Sequence, residues 1–517
     1  EAFDHGVFNT SVRWTVPKVL EFLDTLRAAA PSMTINRTTW VDASTARCKP
    51  TLTEAEAAAY WHVFSVLQQS VLGNAGDWLD IRIIGVLLMC QVFSPHRVRK
   101  DEFVVKYGEM WTGNERSGQV SSPRHSPRGS SPRVVAVSAQ SPSVRGRDAS
   151  AALLAFVRQH LGYFLQIACF ALAAEPAAVA LEDFEVLGLI LCAGTTMKQP
   201  LQRLGEAVPE LCSKKSLPLK DLRKAVDKCL LWNDEIYSSV DQAPPALHGL
   251  PGTSGTVNVC GLTKTTWFQR PPNAGIEFVN ISSCTDCVIY ITSRVRFCLI
   301  AGCHDCTIVM CAVSGLCSLQ NCEKIHVHVA AHCFKMENSI DSSAYLFCHV
   351  PPVLTGDTRG IKLAPYNVLY SQLSSVLSRA GMTLDPEYVD VWAKPVCCTL
   401  GSPDETLGGR SGCLDEPNHS TYHFVHPSNF QPVIVPEANS RSLASTVTLC
   451  LPQVYDDALK SKKEEMRAFQ RMLADINDEG KRKRVQQAIQ GHFREWLQST
   501  GKSRQLADLA RMAQQEK

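Results

Sequence analysis

A repeat of 19 residues within residues 276–347 constrains the fold of this chain more than any other feature. Cys284 recurs as Cys303 and again as Cys322 when the sequence is shifted along itself by that period. A fixed period near 20 residues is typical of solenoids, in which each turn buries its inner face against its neighbours. Each unit holds two short β-rich runs and no run long enough for a helix. The repeat therefore predicts a parallel β-helix.

The cysteines of the repeat admit two interpretations. The spacing C-x₂-C-x₁₅-C-x₂-C is that of zinc ribbons, so a zinc-dependent structural protein is one alternative. The other is a core ladder, in which thiols pack as small hydrophobes. In the next unit Ile325 replaces Cys287 and Cys306, and isoleucine cannot bind a metal, which favours the ladder. The predicted inward columns are Cys284–Cys303–Cys322, Cys298–Cys317–Met336 and Ile281–Ile300–Leu319. We expect no metal and no cofactor.

Composition narrows the class of protein. A chain of 517 residues with a net charge of +2 predicts two to four domains and favours neither nucleic acid nor a membrane surface as partner. Its 21 cysteines, in a chain too long to need disulfides, indicate free thiols in a reducing cytoplasm. The longest apolar run, residues 161–174, is too short to span a bilayer and predicts a buried helix.

Helices are predicted on both sides of the repeat. Residues 1–111 form a helical region, with Pro17 opening one helix, a Thr53–Glu56 capping box opening another, and a third from Trp78 to Phe93. Residues 151–241 are a second helical region that packs with the first. A linker (242–255), the β-helix (256–370), an irregular extension (371–451) and C-terminal helices (452–517) follow. Tyr388–Trp392 and residues 433–435 read as strand-like pieces of the extension. We expect Gly480 to interrupt the last helices.

Residues 112–150 differ in composition from the rest of the chain. They have few large apolar residues, so we expect a disordered insert. Its Ser-Pro motifs at Ser122, Ser126, Ser131 and Ser141 resemble sites for proline-directed kinases, although an inert loop is an equal alternative.

The end of the repeat resembles a known family. The segment Gly360-Ile-Lys-Leu-Ala-Pro-Tyr366-Asn is similar to the motif of the C-CAP/cofactor C-like domain family, which includes tubulin-binding cofactor C. The tail Phe493-Arg-Glu-Trp496-Leu497 resembles the C-terminus of one multidomain branch of that family. The resemblance implies a right-handed β-helix over residues 256–370, with Tyr366 covering its last rung, and hence an α+β chain.

The resemblance also implies where chemistry would reside. Catalytic members stimulate GTP hydrolysis by tubulin or an Arf-like GTPase with an arginine finger, and the matching position here is Lys335. Lysine lacks the planar fork that matches phosphate oxygens. Glu337, two residues on, would share a strand face with Lys335 and offset its charge. We therefore expect a degenerate finger and no enzyme.

Two outward columns are candidate partner-binding surfaces. The period places Lys335 in line with Phe297 and Leu316, and an outward apolar column predicts a cover formed by another segment or a partner. The second column contains Tyr290 and His328; His326 and His328 lack a third metal ligand.

The resemblance implies a non-catalytic scaffold of the microtubule-organising centre (centrosome, basal body or spindle pole), acting in organelle positioning and cell shape. The partners of this protein would be cytoskeletal or centrosomal proteins. A GTPase-activating protein that uses Lys335 is the alternative.

Overall fold

The computed structural model describes residues 6–7, 10–72, 77–93, 156–191, 204, 208–229, 256–269, 276–399, 421–436, 449–476, 478–500 and 502–515. The Ser-Pro-rich insert and the linker at residues 242–255 lie outside these ranges, and what was expected of them stays a prediction.

Between residues 16 and 92 the described chain forms four helices and a short strand pair: α1 (Val16–Ala29), β1 (Thr34–Asn36), α2 (Arg37–Ala46), α3 (Glu54–Leu72), β2 (Trp78–Asp80) and α4 (Ile81–Val92). Pro17 lies in the first turn of α1, as expected. The capping box is present, since the backbone N–H of Glu56 donates to Thr53 Oγ1 at 3.2 Å and that of Thr53 to Glu56 Oε2 at 3.0 Å. The helix expected from Trp78 begins three residues late, because Trp78–Asp80 pairs with β1 and Asp80 caps the helix.

A second set of helices packs on the first: α5 (Leu161–Ala168), β3 (Ala178–Ala180), α6 (Leu181–Glu185), α7 (Pro209–Lys214), β4 (Ser216–Pro218) and α8 (Leu219–Cys229). A Cβ at Gly85 of α4 would lie 2.5 Å from Ile167 and 2.7 Å from Leu23, so only glycine allows this approach of three helices. The helix expected over the apolar run of residues 161–174 ends at Ala168. We call the described residues of 6–93 and 156–229 the helical domain.

The repeat folds as a parallel solenoid. Its strands are β5 (Thr256–Cys260), β6 (Thr266–Gln269), β7 (Ile276–Ser282), β8 (Val288–Ala301), β9 (Thr307–Gln320), β10 (His326–Glu337), β11 (Ser343–Cys348), β12 (Val353–Gly356) and β13 (Ile361–Pro365). Each strand pairs in parallel with the strand one turn away, in the order β13-β11-β10-β9-β8-β7-β5. The predicted α+β class, a parallel β-helix flanked by helices, is confirmed.

The C-x₂-C segments are corners of the solenoid. Ser283 and Asp286 adopt left-handed φ angles of 53° and 52°, and Asp305 one turn later has 51°. Asn321, Lys324, Asn338 and Asp341 continue the pattern. Small polar residues tolerate this conformation better than most. Each pair of corner residues turns the chain and leaves the two cysteines between and after them facing inward, where Cys284 and Cys287 are buried.

The period of the solenoid changes within β10. His326 pairs with Thr307, 19 residues earlier, but Lys335 pairs with Ser318, only 17 residues earlier, after two irregularities between Val329 and Cys333. Two expected columns are therefore wrong at their last member, whereas Cys298 and Cys317 pair as expected. Cys317 stacks on Phe334, not on Met336, and Lys335 lies in line with Ser318, not with Leu316.

The remaining chain lies along the solenoid: β14 (Val368–Leu369), α9 (Leu373–Arg379), β15 (Val396–Thr399), β16 (Tyr422–Phe424) and β17 (Val433–Ile434). The strand expected at residues 433–435 is present and pairs with β14. The one expected at Tyr388–Trp392 is wrong: two 3₁₀ turns, Pro386–Tyr388 and Val391–Ala393, occupy that segment.

Three helices end the chain: α10 (Gln453–Ala474), α11 (Glu479–Ser499) and α12 (Lys502–Gln515). Gly480 was expected to interrupt them, but it lies inside α11, whose N-cap Asp478 accepts hydrogen bonds from the N–H groups of Gly480 and Lys481. Tyr455 of α10 donates to Val425 O at 2.7 Å, close to the last rungs. Asp508 of α12 accepts from the N–H of Thr266 in β6 at 3.2 Å, at the first rungs.

Candidate functional site

The face of the solenoid that carries Lys335 is formed by the second halves of β8, β9 and β10. Cys298, Cys317 and Phe334 point into the core, so their neighbours Phe297, Leu316 and Lys335 point outward, as expected. These outward-pointing side chains are nevertheless shielded from solvent. Phe297 is 5% exposed, and Leu316 and Lys335 are 0% exposed.

The helical domain covers this face. Phe297, Leu316, Cys333 and Val353 belong to one apolar core with the helices α1 to α5. The rings of Phe278 and Phe297 stack at 5.6 Å within that interface. Thus the segment that covers the predicted column belongs to the same chain, and a partner could reach these side chains only by displacing the helical domain.

Lys335 is tied to the helical domain by its charge. Its Nζ donates to Val7 O at 2.9 Å and lies 3.7 Å from Glu337 Oε2. Glu337 is 6% exposed, so both charges of the pair are removed from water. The predicted pairing of Lys335 with Glu337 is therefore present. Such a pair stabilises little by itself, but loss of one partner leaves a buried charge uncompensated.

Three histidines gather at the edge of this interface, which the sequence pattern did not indicate. His332 Nδ1 and His349 Nδ1 lie 3.3 Å apart, on neighbouring rungs. Burial, with a contribution from His349, lowers the pKa of His332 to about 4. Burial likewise lowers the pKa of His62 of α3 to about 4, with Arg37 and His332 adding to the effect. The interface is therefore assembled with neutral imidazoles.

The second predicted column also lies under the chain's own segments. Tyr290, Val309 and His328 are in register, as expected. Tyr290 is 5% exposed and its hydroxyl accepts from Gln505 Nε2 of α12 at 3.1 Å. His328 stacks on Tyr345 at 4.4 Å and its Nδ1 lies 2.8 Å from Asn367 Oδ1. Burial lowers the pKa of His328 to about 4.

The family resemblance implied that Tyr366 covers the last rung. The structure places its side chain elsewhere. Its hydroxyl donates to Met310 O at 3.3 Å and Cys311 O at 3.2 Å, both in β9. The ring packs beside Val309 and Leu373 on the flank of the solenoid. Tyr366 therefore fastens the chain after β13 to the side of earlier rungs.

The cysteine columns lie in the solenoid core. Cys284, Cys303 and Cys322 are each at most 3% exposed, and the Cys303 thiol donates to Ile281 O at 3.8 Å and Ala301 O at 3.6 Å. In the described ranges no group of three or more His, Cys, Asp or Glu residues is placed to hold a metal ion. Burial raises the pKa of Cys333 to about 12. These thiols are packed as core residues.

The solenoid resembles a known protein family. Residues 276–394, which form most of the solenoid and its lateral cover, match the family model "Tubulin binding cofactor C". The resemblance seen in the Ala-Pro-Tyr segment is thereby confirmed, and the solenoid is a domain of this type.

Three relatives are similar to a longer stretch of the chain, and they share one name. The chain is similar to "TBCC domain-containing protein 1" of Mus musculus, with 24% identity over 286 residues, covering 54% of this chain and 48% of the relative. The same-named proteins of Gallus gallus and Homo sapiens are 22% and 21% identical over 285 and 288 residues, with the same coverage. The chain thus spans about half the length of the curated relatives it matches. None of the described helices is long and apolar enough to cross a bilayer.

Proposed function

We propose that this chain is a non-catalytic scaffold of the cytoskeleton. It acts at the microtubule-organising centre (the centrosome, basal body or spindle pole) through protein–protein contacts, in the positioning of organelles such as the centrosome and Golgi and in cell shape. The observation that carries the proposal is the burial of Lys335 beneath the helical domain.

The chemistry of GTPase activation supports this reading. A finger residue must reach the phosphates of a bound nucleotide and place its charge on the transition state, where an arginine contributes about 10³ to 10⁵ in rate. Lys335 is enclosed, donates to Val7 O and lies against Glu337. Its ammonium also lacks the two-pronged geometry of a guanidinium. Enclosure and the contacts with Val7 O and Glu337 reduce the field that a partner's nucleotide would experience, and the missing fork removes the bidentate fit to phosphate oxygens.

The partners we propose are cytoskeletal or centrosomal proteins, with tubulin and an Arf-like GTPase as candidates. The support is the match to "Tubulin binding cofactor C" and the name shared by the relatives. Residues left for contact are those outside the two covered faces, because Phe297 and Leu316 are enclosed by the helical domain.

Single-turnover GTP hydrolysis separates the scaffold from its rival, a GTPase-activating protein. The full chain, in excess over tubulin or an Arf-like GTPase, should not accelerate hydrolysis. The matched variants are Lys335→Met and Lys324→Met, the second on an exposed lysine that also pairs with a glutamate. A stimulation of about 100-fold or more that Lys335→Met abolishes and Lys324→Met preserves would refute the scaffold proposal, provided that both variants keep their circular dichroism spectrum.

Proximity labelling in cells tests the location. With the full chain as bait, we expect enrichment of proteins of the microtubule-organising centre relative to a cytoplasmic control bait. Uniform labelling of the cytoplasm would contradict the proposed site of action.

A further inference from the structure

Helix α12 lies over the first rungs of the solenoid and is attached to them by polar contacts. Arg504 Nη2 pairs with Asp286 Oδ2 at 2.8 Å, and Gln505 Nε2 donates to the hydroxyl of Tyr290 at 3.1 Å. Asp508 Oδ2 accepts from the first backbone N–H of β6 at 3.2 Å. Positions 504, 505 and 508 lie on one face of the helix, because residues four apart are neighbours on a helix surface.

The face that α12 turns toward the solenoid is mostly polar. Within residues 502–511 none is fully buried, and the partly covered ones are Arg504, Gln505, Asp508 and Leu509. Leu506 of the same helix is 47% exposed. A helix that belongs permanently to a core buries an apolar stripe, as α10 does where it meets the last rungs. Docking of α12 buries little apolar area, so the hydrophobic contribution to it is small.

The ion pair that holds α12 is itself accessible to water. The side chains of Arg504 and Asp286 are 40% and 43% exposed. Exposed pairs contribute little free energy, and dissolved salt screens them. The hydrogen bonds add only a modest amount, because each replaces a bond to water. We therefore expect α12 to detach while the rungs beneath it stay folded, since weakly held segments open locally.

The surface beneath α12 includes one of the two columns predicted to bind a partner. Tyr290 is 5% exposed, and its ring lies 5.7 Å from that of Phe268 in β6. Because α12 bonds to the Tyr290 hydroxyl and to the N–H of Thr266, its detachment uncovers both groups together. We call the Tyr290 hydroxyl, the Phe268 ring and the Thr266 N–H the Tyr290 surface.

From the polar contacts, their exposure and the groups beneath them, we infer that α12 is a salt-sensitive lid over the Tyr290 surface. In the closed state the chain occupies this contact surface itself. In the open state the surface becomes available to a helix of a partner that presents a cation to Asp286 and a carboxylate to the N–H of Thr266, as α12 does. The partner's cytoskeletal nature rests on the proposed function, whereas the opening of the lid is a property of the purified chain.

Hydrogen exchange of the full chain, measured by mass spectrometry at one fixed pH, tests the lid. Peptides from α12 should exchange about two to five times faster in 0.5 M than in 0.05 M NaCl, because salt screens the pair of Arg504 with Asp286. Peptides from β9 should show no change. Arg504→Glu replaces attraction by repulsion between like charges, and it should accelerate the exchange of α12 by about tenfold.

A charge swap and a matched control make the test specific. Asp286→Lys added to Arg504→Glu should restore slow exchange of α12. Lysine suits this corner, because Lys264 and Lys324 hold equivalent corners with left-handed φ angles of 52° and 54°. The control Arg359→Glu makes the same charge change in another exposed ion pair of the solenoid, and it should leave α12 unaffected.

Acetylation of tyrosine by N-acetylimidazole reports access to the surface. Modification of Tyr290 should rise in Arg504→Glu together with the exchange of α12, while Tyr366, which is 3% exposed, stays unmodified. The lid is refuted if α12 exchanges as slowly as β9 whatever the salt or variant, or as fast as an unfolded peptide in the wild type at low salt. A swap that restores nothing, or acetylation that does not follow exchange, also overturns it. Each of these results leaves the scaffold proposal intact, because that proposal stands on Lys335.

Discussion

Replacement of Lys335 by methionine tests whether the charge of this residue joins the solenoid to the helical domain. Methionine keeps most of the stem volume and removes the ammonium. The change removes the ammonium that lies 3.7 Å from the buried carboxylate of Glu337, which is 6% exposed, and it removes the hydrogen bond to Val7 O. Loss of one partner of a buried pair costs about 3–5 kcal/mol. We expect the free energy of unfolding to fall by that amount.

The double variant distinguishes a buried charge from simple loss of packing. Lys335→Met together with Glu337→Gln removes both charges, and replacement of a whole buried pair by neutral groups is often close to neutral in free energy. The double variant should therefore be more stable than the single one. Lys335→Arg should cost about 1–3 kcal/mol, because the larger guanidinium enters a site with no free space.

Urea unfolding, followed by circular dichroism and tryptophan fluorescence, measures these differences. Lys324→Met is the control, since that lysine is half exposed and lies 3.1 Å from Glu323. An exposed pair contributes about 0–1 kcal/mol. If Lys335→Met were as mild as Lys324→Met, or if the double variant were as unstable as the single one, the charge pair would not hold the interface.

Three further predictions concern pH, thiols and the insert. The pKa values of His62, His328 and His332 are lowered to about 4, so the folded chain keeps them neutral while the unfolded chain binds protons below pH 6.5. Stability should therefore be complete above that pH and fall as the pH drops toward 4, by on the order of 1–3 kcal/mol per histidine; melting curves that do not change over this range would contradict the assignment. Cys303→Ser should cost about 1–3 kcal/mol by burying a hydroxyl, with Cys303→Ala as the control for lost volume; a stoichiometric zinc whose chelation unfolds the protein would refute the core ladder. Deletion of residues 113–147 should leave the melting temperature nearly unchanged, since a disordered loop contributes few contacts, and a large loss would show that the segment is ordered.

The solenoid could be predicted from sequence because its rule is local and repeated. Cys284, Cys303 and Cys322 occupy equivalent corners, and each copy of the pattern adds support for the next. The same reasoning did not predict that the period shortens by two residues within β10, because the period was taken as constant. The corner Asn338–Asp341, 17 residues after Asn321–Lys324, would have revealed it.

The burial of the candidate finger could not be predicted from local sequence. Whether Lys335 faces water depends on Val7, which lies 328 positions earlier in the chain. Periodicity gives the direction of a side chain relative to its own strand, and it does not identify which distant segment lies over it. The short strand Trp78–Asp80 was missed for a similar reason, since its partner is β1.

The C-terminal helices touch both ends of the solenoid, and this affects how the chain carries mechanical load. A free stack of rungs under tension would peel apart one rung at a time, because each rung contacts only its neighbours. Here α10 leaves from the last rungs at Tyr455, and α12 returns to the first, where Arg504 pairs with Asp286 at 2.8 Å. A pull on the C-terminus therefore enters the stack at its first rungs, and the exposed α10 and α11 form a loop that is loaded only after α12 has been detached.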